Sequence, residues 1–368
     1  MKKIILFVNF ILFLSVLNAQ GNLQITQPGG SKKASVSEWI GLTEVTIQYH
    51  RPAVRGREGK IWGTDVAFYG TQDMGFTGAP APWRAGANEN TTISFSTDVT
   101  IEGKYLPAGR YGVFMQLGES ENLLILSKFS GAWGNYFYNP ADEALRVVMR
   151  TESMDKSCEY LQYEFIEQTA QSARVALSWE KKRMSFEVAV DLHKIQIASF
   201  KEELRGKYAF EWQSYNQAAK YCADNNVELE LGLKWAEQAI NLNFVGEKNF
   251  QTLSTKAAVL RKMDKKEEAE KTMMEALPLG SEQDVHQYGR SQLAAKELES
   301  AYKVFMANYD KHPNTYTTNM GMARALSAKG EFKKSMDYLK AALPLAPEAV
   351  HKTIESYMKT LEEGKDFN

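Results

Sequence analysis

Near Asp191 the hydrophobic pattern of the chain changes its period, and that change limits what the chain can fold into. Before it, apolar residues recur at every second position in short runs, the spacing of half-buried strands; after it they recur at helical spacing. A strand turns successive side chains to opposite faces and a helix returns to one face every three to four residues, so neither pattern can serve the other element. A chain of 368 residues is also too long for one typical core. The change of period therefore reads as the boundary between two domains.

In the first half, Val45, Ile47 and Tyr49 alternate with Thr46, Gln48 and His50, which predicts one buried and one wet face. Similar runs follow at 91–96, 110–116, 122–127, 145–151, 160–166, 172–179 and 184–191. Turn residues such as Glu102-Gly103, Pro107-Ala108-Gly109 and Ser130-Gly131 separate several of them. Roughly eight or nine short strands with no helical pattern between them predict an all-β antiparallel sandwich, because each sheet needs another to cover its apolar face. A barrel-like closure is the alternative. Phe68 to Asn90 breaks the rhythm as a long Gly-, Ala- and Pro-rich stretch carrying Phe76, Trp83 and Arg84, and long loops of this kind are often functional.

Several strings in this half carry a resemblance. They are Tyr49-His50-Arg51-Pro52, Gly56-Arg57, Trp83-Arg84-Ala85-Gly86-Ala87-Asn88-Glu89 followed by Thr91-Thr92, and Leu106-Pro107-Ala108-Gly109. Trp133-Gly134 and the stretch from Asp142 to Arg146 also fit. Taken in order over about residues 23–191, they resemble an exported bacterial domain-of-unknown-function family, number twenty-nine eleven. The resemblance implies export and a β domain followed by helical repeats; it implies no activity.

In the second half, a small residue, a large apolar residue four positions on and another residue three after that recur as Ala269, Met273, Ala276; as Ala301, Phe305, Asn308; and as Ser335, Leu339, Ala342. Ala269 to Ala301 is 32 residues, and Ala301 to Ser335 and Pro313 to Pro347 are each 34. That spacing resembles the tetratricopeptide family, with an irregular earlier unit at Gly232, Ala236 and Ala239. Ala349 to Leu361 is predicted to cap the array. The expected organisation is a signal peptide at 1–21, a β-sandwich domain at 22–191, a linker at 192–209 and helical repeats with a capping helix at 210–368.

Lys2 and Lys3 ahead of the apolar run Ile4 to Leu17 predict a cleaved export signal, a run too short to span a bilayer comfortably. The expected location is the periplasm or the medium, with no stable membrane span. A net charge of -1 gives no field to draw in nucleic acid, so none is expected as a partner. Cys158 and Cys222, the two cysteines, read as two buried thiols; a bridge would require their domains to dock with both side chains converging.

Candidate ligand-binding residues are Arg51, Arg57, Trp83, Arg84, Asn88 and Glu89. The Trp83–Glu89 motif joins a planar donor, a carboxylate, an amide and an aromatic surface, groups that suit a carboxylate or sugar. The competing reading has Arg84 and Glu89 pairing structurally while Trp83 plugs the core. Arg51, Arg55 and Arg57 around Pro52 and Gly56 suit either an anion-binding corner or a solvated turn. His50 could act as a general base. Trp133, Tyr136, Phe137 and Tyr138 suit stacking on a sugar ring or covering a core edge. Met273, Met274 and Met306 read as packing. The five histidines are scattered without metal-ligand spacing, and no acyl, phosphoryl or hydride-transfer motif occurs, so no metal and no cofactor are expected. The chain reads as a binding and scaffolding protein: the repeats engage a protein partner, and the β domain holds a small-molecule or glycan ligand or another surface. The alternative is an envelope hydrolase acting on glycan or peptide near Trp83–Glu89.

Overall fold

The computed structural model describes residues 30–368; the expected export signal lies outside the described residues. The described residues divide into two compact units, 30–191 and 192–368.

The first unit is all-β and antiparallel. Its main strands are β1 (Lys32–Ile40), β2 (Thr43–Arg51), β5 (Thr92–Phe95), β6 (Val99–Ile101), β7 (Lys104–Leu106), β8 (Gly109–Gln116), β9 (Asn122–Ser127), β10 (Glu143–Ile166) and β11 (Ser172–Ala189). A small ribbon of β3 (Gln72–Asp73) and β4 (Pro80–Ala81) sits inside the 68–90 segment. The nine strands form one ladder in the order β1-β2-β5-β8-β9-β10-β11-β6-β7. It folds over on itself around a shared core. Val45, Ile47 and Tyr49 point inward as the alternation requires, and the Tyr49 hydroxyl accepts from the Tyr163 backbone N–H at 3.1 Å.

Four of the runs expected as separate strands merge into two long ones, β10 and β11. The polar stretch Glu152 to Glu159 hides the continuity. Between the pairs Ser153↔Lys182 and Cys158↔Glu180, four residues of β10 oppose a single residue of β11; between Cys158↔Glu180 and Gln162↔Ser178, three oppose one. Such bulges bend the strand that carries them. The bent part of β10 meets the end of β2, where Val54 N–H donates to Glu159 O (2.7 Å) and Leu161 N–H to Pro52 O (3.0 Å). The sandwich-like fold is thus closed along one seam, a feature of the barrel-like alternative. Strand β1 gave a weak sequence signal because it is an edge strand with only Ile40 fully buried.

The second unit is an all-α, tetratricopeptide-like array. Helices α2 (Trp212–Asn225) and α3 (Leu229–Asn241), α4 (Phe250–Lys262) and α5 (Lys266–Ala276), α6 (Glu282–Ala294) and α7 (Leu298–Lys311), and α8 (Tyr316–Ala328) and α9 (Phe332–Ala342) form successive hairpins. The segment 192–209, expected as a linker, is mostly helical: α1 (Leu192–Glu203) buries Ile197 in the core with α2 and α3. A final helix, α10 (His351–Glu362), follows the last hairpin.

The repeat shows in the local chemistry. Helices α4, α6 and α8 each start at a capping box, on Asn249, Ser281 and Thr315, in which the cap side chain and the residue three on satisfy each other's backbone N–H. The small and large residues picked out by their spacing, from Ala269 to Ala342, are all buried on second helices of hairpins. Phe305 of α7 interlocks two hairpins: a Cβ on Gly289 or Gly321 would stand 2.6 or 2.5 Å from its ring. Met273 packs in the core while Met274 is exposed, so the methionine group is not all packing. No helix among the described residues is long and apolar enough to cross a membrane.

His286 is buried against Phe305, and its titration should make this array sensitive to acid. Burial, with Arg324 and Arg290 nearby, lowers its pKa from 6.5 to about 4. Above pH 6.5 the ring is neutral folded or unfolded and the contribution is complete. As the pH falls from 6.5 towards 4, the unfolded chain takes up a proton that the folded chain refuses, and stability is lost. We expect a loss on the order of 1–2 kcal/mol from this group between pH 7 and 5. His286→Gln should flatten the fall in melting temperature over that interval; an unchanged slope would assign the acid sensitivity to other groups.

Candidate functional site

Period-two alternation places four neighbouring strands' polar side chains on one outer face of the first unit. Lys33 of β1 pairs with His50 of β2, Gln48 of β2 with Thr92 of β5, and Thr92 with Gly112 of β8, while Arg110 lies two residues before Gly112 on the same face. Lys33, His50, Gln48, Thr92 and Arg110, with Tyr49, Glu89, Asn90 and the loop Ser130 to Trp133, line an open cleft of about 280 Å³.

The segment 84–90 delivers Glu89 and Asn90 to this cleft. Ala85 and Asn88 adopt left-handed backbone conformations, φ 50° and 57°, so the segment coils tightly. The Ala85 carbonyl is pinned by the hydroxyls of Tyr163 (2.9 Å) and Thr91 (3.1 Å). His50, expected on a wet face, is therefore covered and only 8% exposed. Its Nδ1 lies 2.9 Å from Glu89 Oε2, yet the approach is off the hydrogen-bond axis, and Oε2 has no aligned donor. Burial holds the imidazole below its ordinary pKa against the opposing pull of Glu89, and Lys33 adds to the lowering. The ring is thus neutral near pH 7.

Asn90 is the most informative residue. It is 7% exposed, and neither its Oδ1 nor its Nδ2 finds a hydrogen-bond partner among the described residues. The amide lies over Gly112, where a Cβ would stand 2.3 Å from Oδ1, so the sheet is shaped to admit it. A buried amide without a partner is expensive and rare. At the rim, Arg110 donates to Gln48 Oε1 (3.2 Å) and Thr92 Oγ1 (3.1 Å). Among the described residues neither Arg110 nor Lys33 forms an ion pair. Trp133, 56% exposed, forms one wall.

Of the six residues expected from the sequence, the structure brings Glu89 into this cleft. Trp83 is core, its ring stacked on Trp179 with centroids 6.2 Å apart. Arg84 does not pair with Glu89: it donates to Asn88 O (3.3 Å), and its guanidinium lies 5.1 Å from the Tyr136 ring centroid. Asn88 is exposed at the turn. Arg51 donates to Leu161 O (2.9 Å) at the β2–β10 seam, and Arg57 ties down a turn through Val54 O (2.9 Å) and Ala53 O (2.7 Å); neither lines the cleft. Asn90, Arg110, Lys33, Gln48 and Thr92 were missed, although the parity of the strands places the last four on one face with His50. In the aromatic cluster, Trp133 and Phe137 are exposed while Tyr138 is buried.

Both cysteines are free; Cys222 is buried, and Cys158, expected to be buried as well, is only partly so. Among the described residues no group of three or more His, Cys, Asp or Glu side chains is placed to hold a metal ion. In the second unit, α5, α6 and α7 border a groove of about 410 Å³ lined by Met273, Met274, Leu277, Tyr288 and Val304, with Arg261, Lys266 and Lys303 among its polar residues.

Comparison with curated proteins finds no match. Among solved structures the chain is similar to MamA MSR-1 (14% identity, covering 42% of this chain and 95% of that one, TM-score 0.26). It is also similar to MamA 41-end from Desulfovibrio magneticus RS-1 (16% identity, covering 41% and 93%, TM-score 0.26). Residues 31–188, which hold the whole cleft, match the family model described as a protein of unknown function, DUF2911.

Proposed function

We propose that this is an exported binding and scaffolding protein, periplasmic or secreted, whose β unit takes a small polar ligand in the His50–Glu89 cleft and whose helical array engages a protein partner. The observation that carries the ligand reading is the Asn90 amide, buried in the lining of the cleft without a hydrogen-bond partner among the described residues, beside Arg110 and Lys33, which form no ion pair among those residues. A group of this kind gains its hydrogen bonds only when something enters. The partner reading is supported by stacked hairpins, an architecture suited to extended contacts, and by the part-apolar groove beside Met274. Export is supported by the charged start and short apolar run at the N-terminus.

A hydrolase acting on envelope glycan or peptide is the second reading, favoured by one feature: an imidazole held below its ordinary pKa lies in the cleft with a carboxylate 2.9 Å from its Nδ1, the two groups that a general base would use once aligned. Turnover that disappears in His50→Gln would select it.

The ligand reading is tested by thermal shift of the full chain against a panel of small carboxylates, saccharides and short peptides. A ligand at about 100 times its Kd adds roughly 2.7 kcal/mol, which raises the melting temperature of a unit this size by several degrees. We expect hits that vanish in Asn90→Ala and weaken in Arg110→Ala. Hits that persist in both variants would place binding elsewhere.

A further inference from the structure

Resting on the ligand reading above, we infer that the cleft takes a monosaccharide ring bearing a carboxylate, either as a free sugar acid or as the end unit of an acidic glycan. Four features of the lining converge on that chemistry.

The first is the Asn90 amide, whose NH₂ donor group and carbonyl acceptor are both unused among the described residues. A hydroxyl group satisfies either need, and adjacent hydroxyls on a ring satisfy both at once. The second is the neutral polar set around it. Gln48, Thr92 and Ser130 line the same cleft, and their amide and hydroxyl groups match a polyol better than an apolar body.

The third is charge. Glu89 lies against His50, whereas Arg110 and Lys33 face the same space without a counter-ion among the described residues. Arg110 spends part of its donor set on Gln48 and Thr92, which fixes the guanidinium in place, and its remaining N–H groups are available to a carboxylate. The fourth is Trp133. A large aromatic ring left 56% exposed at a cleft wall supplies a flat apolar surface of the kind against which the C–H face of a sugar ring packs. Exposed Phe129 and Phe137 flank it along the same loop. A cleft of about 280 Å³ suits one ring and not a long oligomer.

The roles divide accordingly. Trp133 carries the ring face, Asn90 and Thr92 bind hydroxyls, and Arg110 with Lys33 holds the carboxylate. His50 and Glu89 form the opposite wall.

Isothermal titration of the full chain with glucuronate, galacturonate and N-acetylmuramate, against glucose, galactose and acetate, tests the assignment. At least one sugar acid should bind about tenfold or more tightly than its neutral counterpart and than acetate. Arg110→Gln with Lys33→Gln should erase the preference for the acid, while Trp133→Ala should weaken acid and neutral sugar alike. Lys33, Arg110 and Trp133 are exposed, so these variants should fold, and circular dichroism checks that they do. Acetate or a neutral sugar binding as tightly as every sugar acid would overturn the inference, as would no binding by any of the three acids. If the acids fail while another ligand gives an Asn90-dependent thermal shift, the cleft remains a ligand site and only the sugar-acid assignment falls. If no panel ligand gives such a shift, the ligand reading falls with it.

Discussion

Deleting α10 and the residues after it, His351 to Asn368, should lower the melting temperature of the helical array by roughly 6–20 °C and make the protein aggregate. The reason lies in what α10 covers. Ile354 and Leu361 are buried against Met320, Ala323, Leu339 and Ala342 of the last hairpin, and each such side chain contributes about 1.5–3 kcal/mol by leaving water. Phe367 adds a ring stacked on Tyr357, with centroids 4.5 Å apart. A repeat array draws its stability from neighbouring units, so removing the last cover leaves an apolar face with nothing against it. For a unit of this length each kcal/mol moves the midpoint by about 2–4 °C. Ile354→Ala with Leu361→Ala should give part of the same loss without shortening the chain. A truncated protein that stays monomeric with an unchanged midpoint would show that α10 does not cap the array.

The β unit should be equally intolerant at Trp179. This residue is fully buried, stacked on Trp83 and edge-on to Trp62 at 5.7 Å. It also stands where β10 leaves the ladder, with three residues of that strand opposite it alone. Trp179→Ala should cost about 3–5 kcal/mol, the usual loss when a large buried aromatic is truncated. Its indole Nε1 has no hydrogen-bond partner among the described residues, so Trp179→Phe, which keeps a ring and removes the unpaired donor, should recover most of the loss. Chemical denaturation followed by circular dichroism measures both. Equal damage from the two variants would mean that the indole N–H, not the ring, is what the site requires.

These expectations rest on residues that the sequence exposed to different degrees. The array was legible to single positions, because a small residue in a hairpin's second helix has one task, close approach, and repeats it at 32 and 34 residues. Strand β9 was read with its bounds, Asn122–Ser127, since its continuous apolar run, Leu123 to Leu126, lies between turn residues on both sides. The long strands β10 and β11 were read as fragments because Glu152 to Glu159 faces solvent through two bulges, and nothing local distinguishes a bulged strand from a loop. The cleft was legible only in part. Glu89 lies within a motif and was found, whereas Asn90, the next residue, carries no type signal of its own; Arg110 and Lys33 come from strands distant in sequence, and only strand register brings them together. Arg51 and Arg57 looked like anion binders because arginine type alone does not reveal that each guanidinium donates to backbone carbonyls away from the cleft.

The central claim is that Asn90 is held for a ligand and not for the fold. The melting temperature of Asn90→Leu, measured with no ligand added, tests it most directly, because leucine keeps the shape over Gly112 and removes both unpaired polar atoms. An unsatisfied buried amide costs about 1–3 kcal/mol. The account predicts that Asn90→Leu leaves the melting temperature unchanged or raises it by a few degrees while abolishing every ligand-induced shift. A clear fall in melting temperature, with ligand response intact in the folded protein, would contradict it and make Asn90 a structural residue.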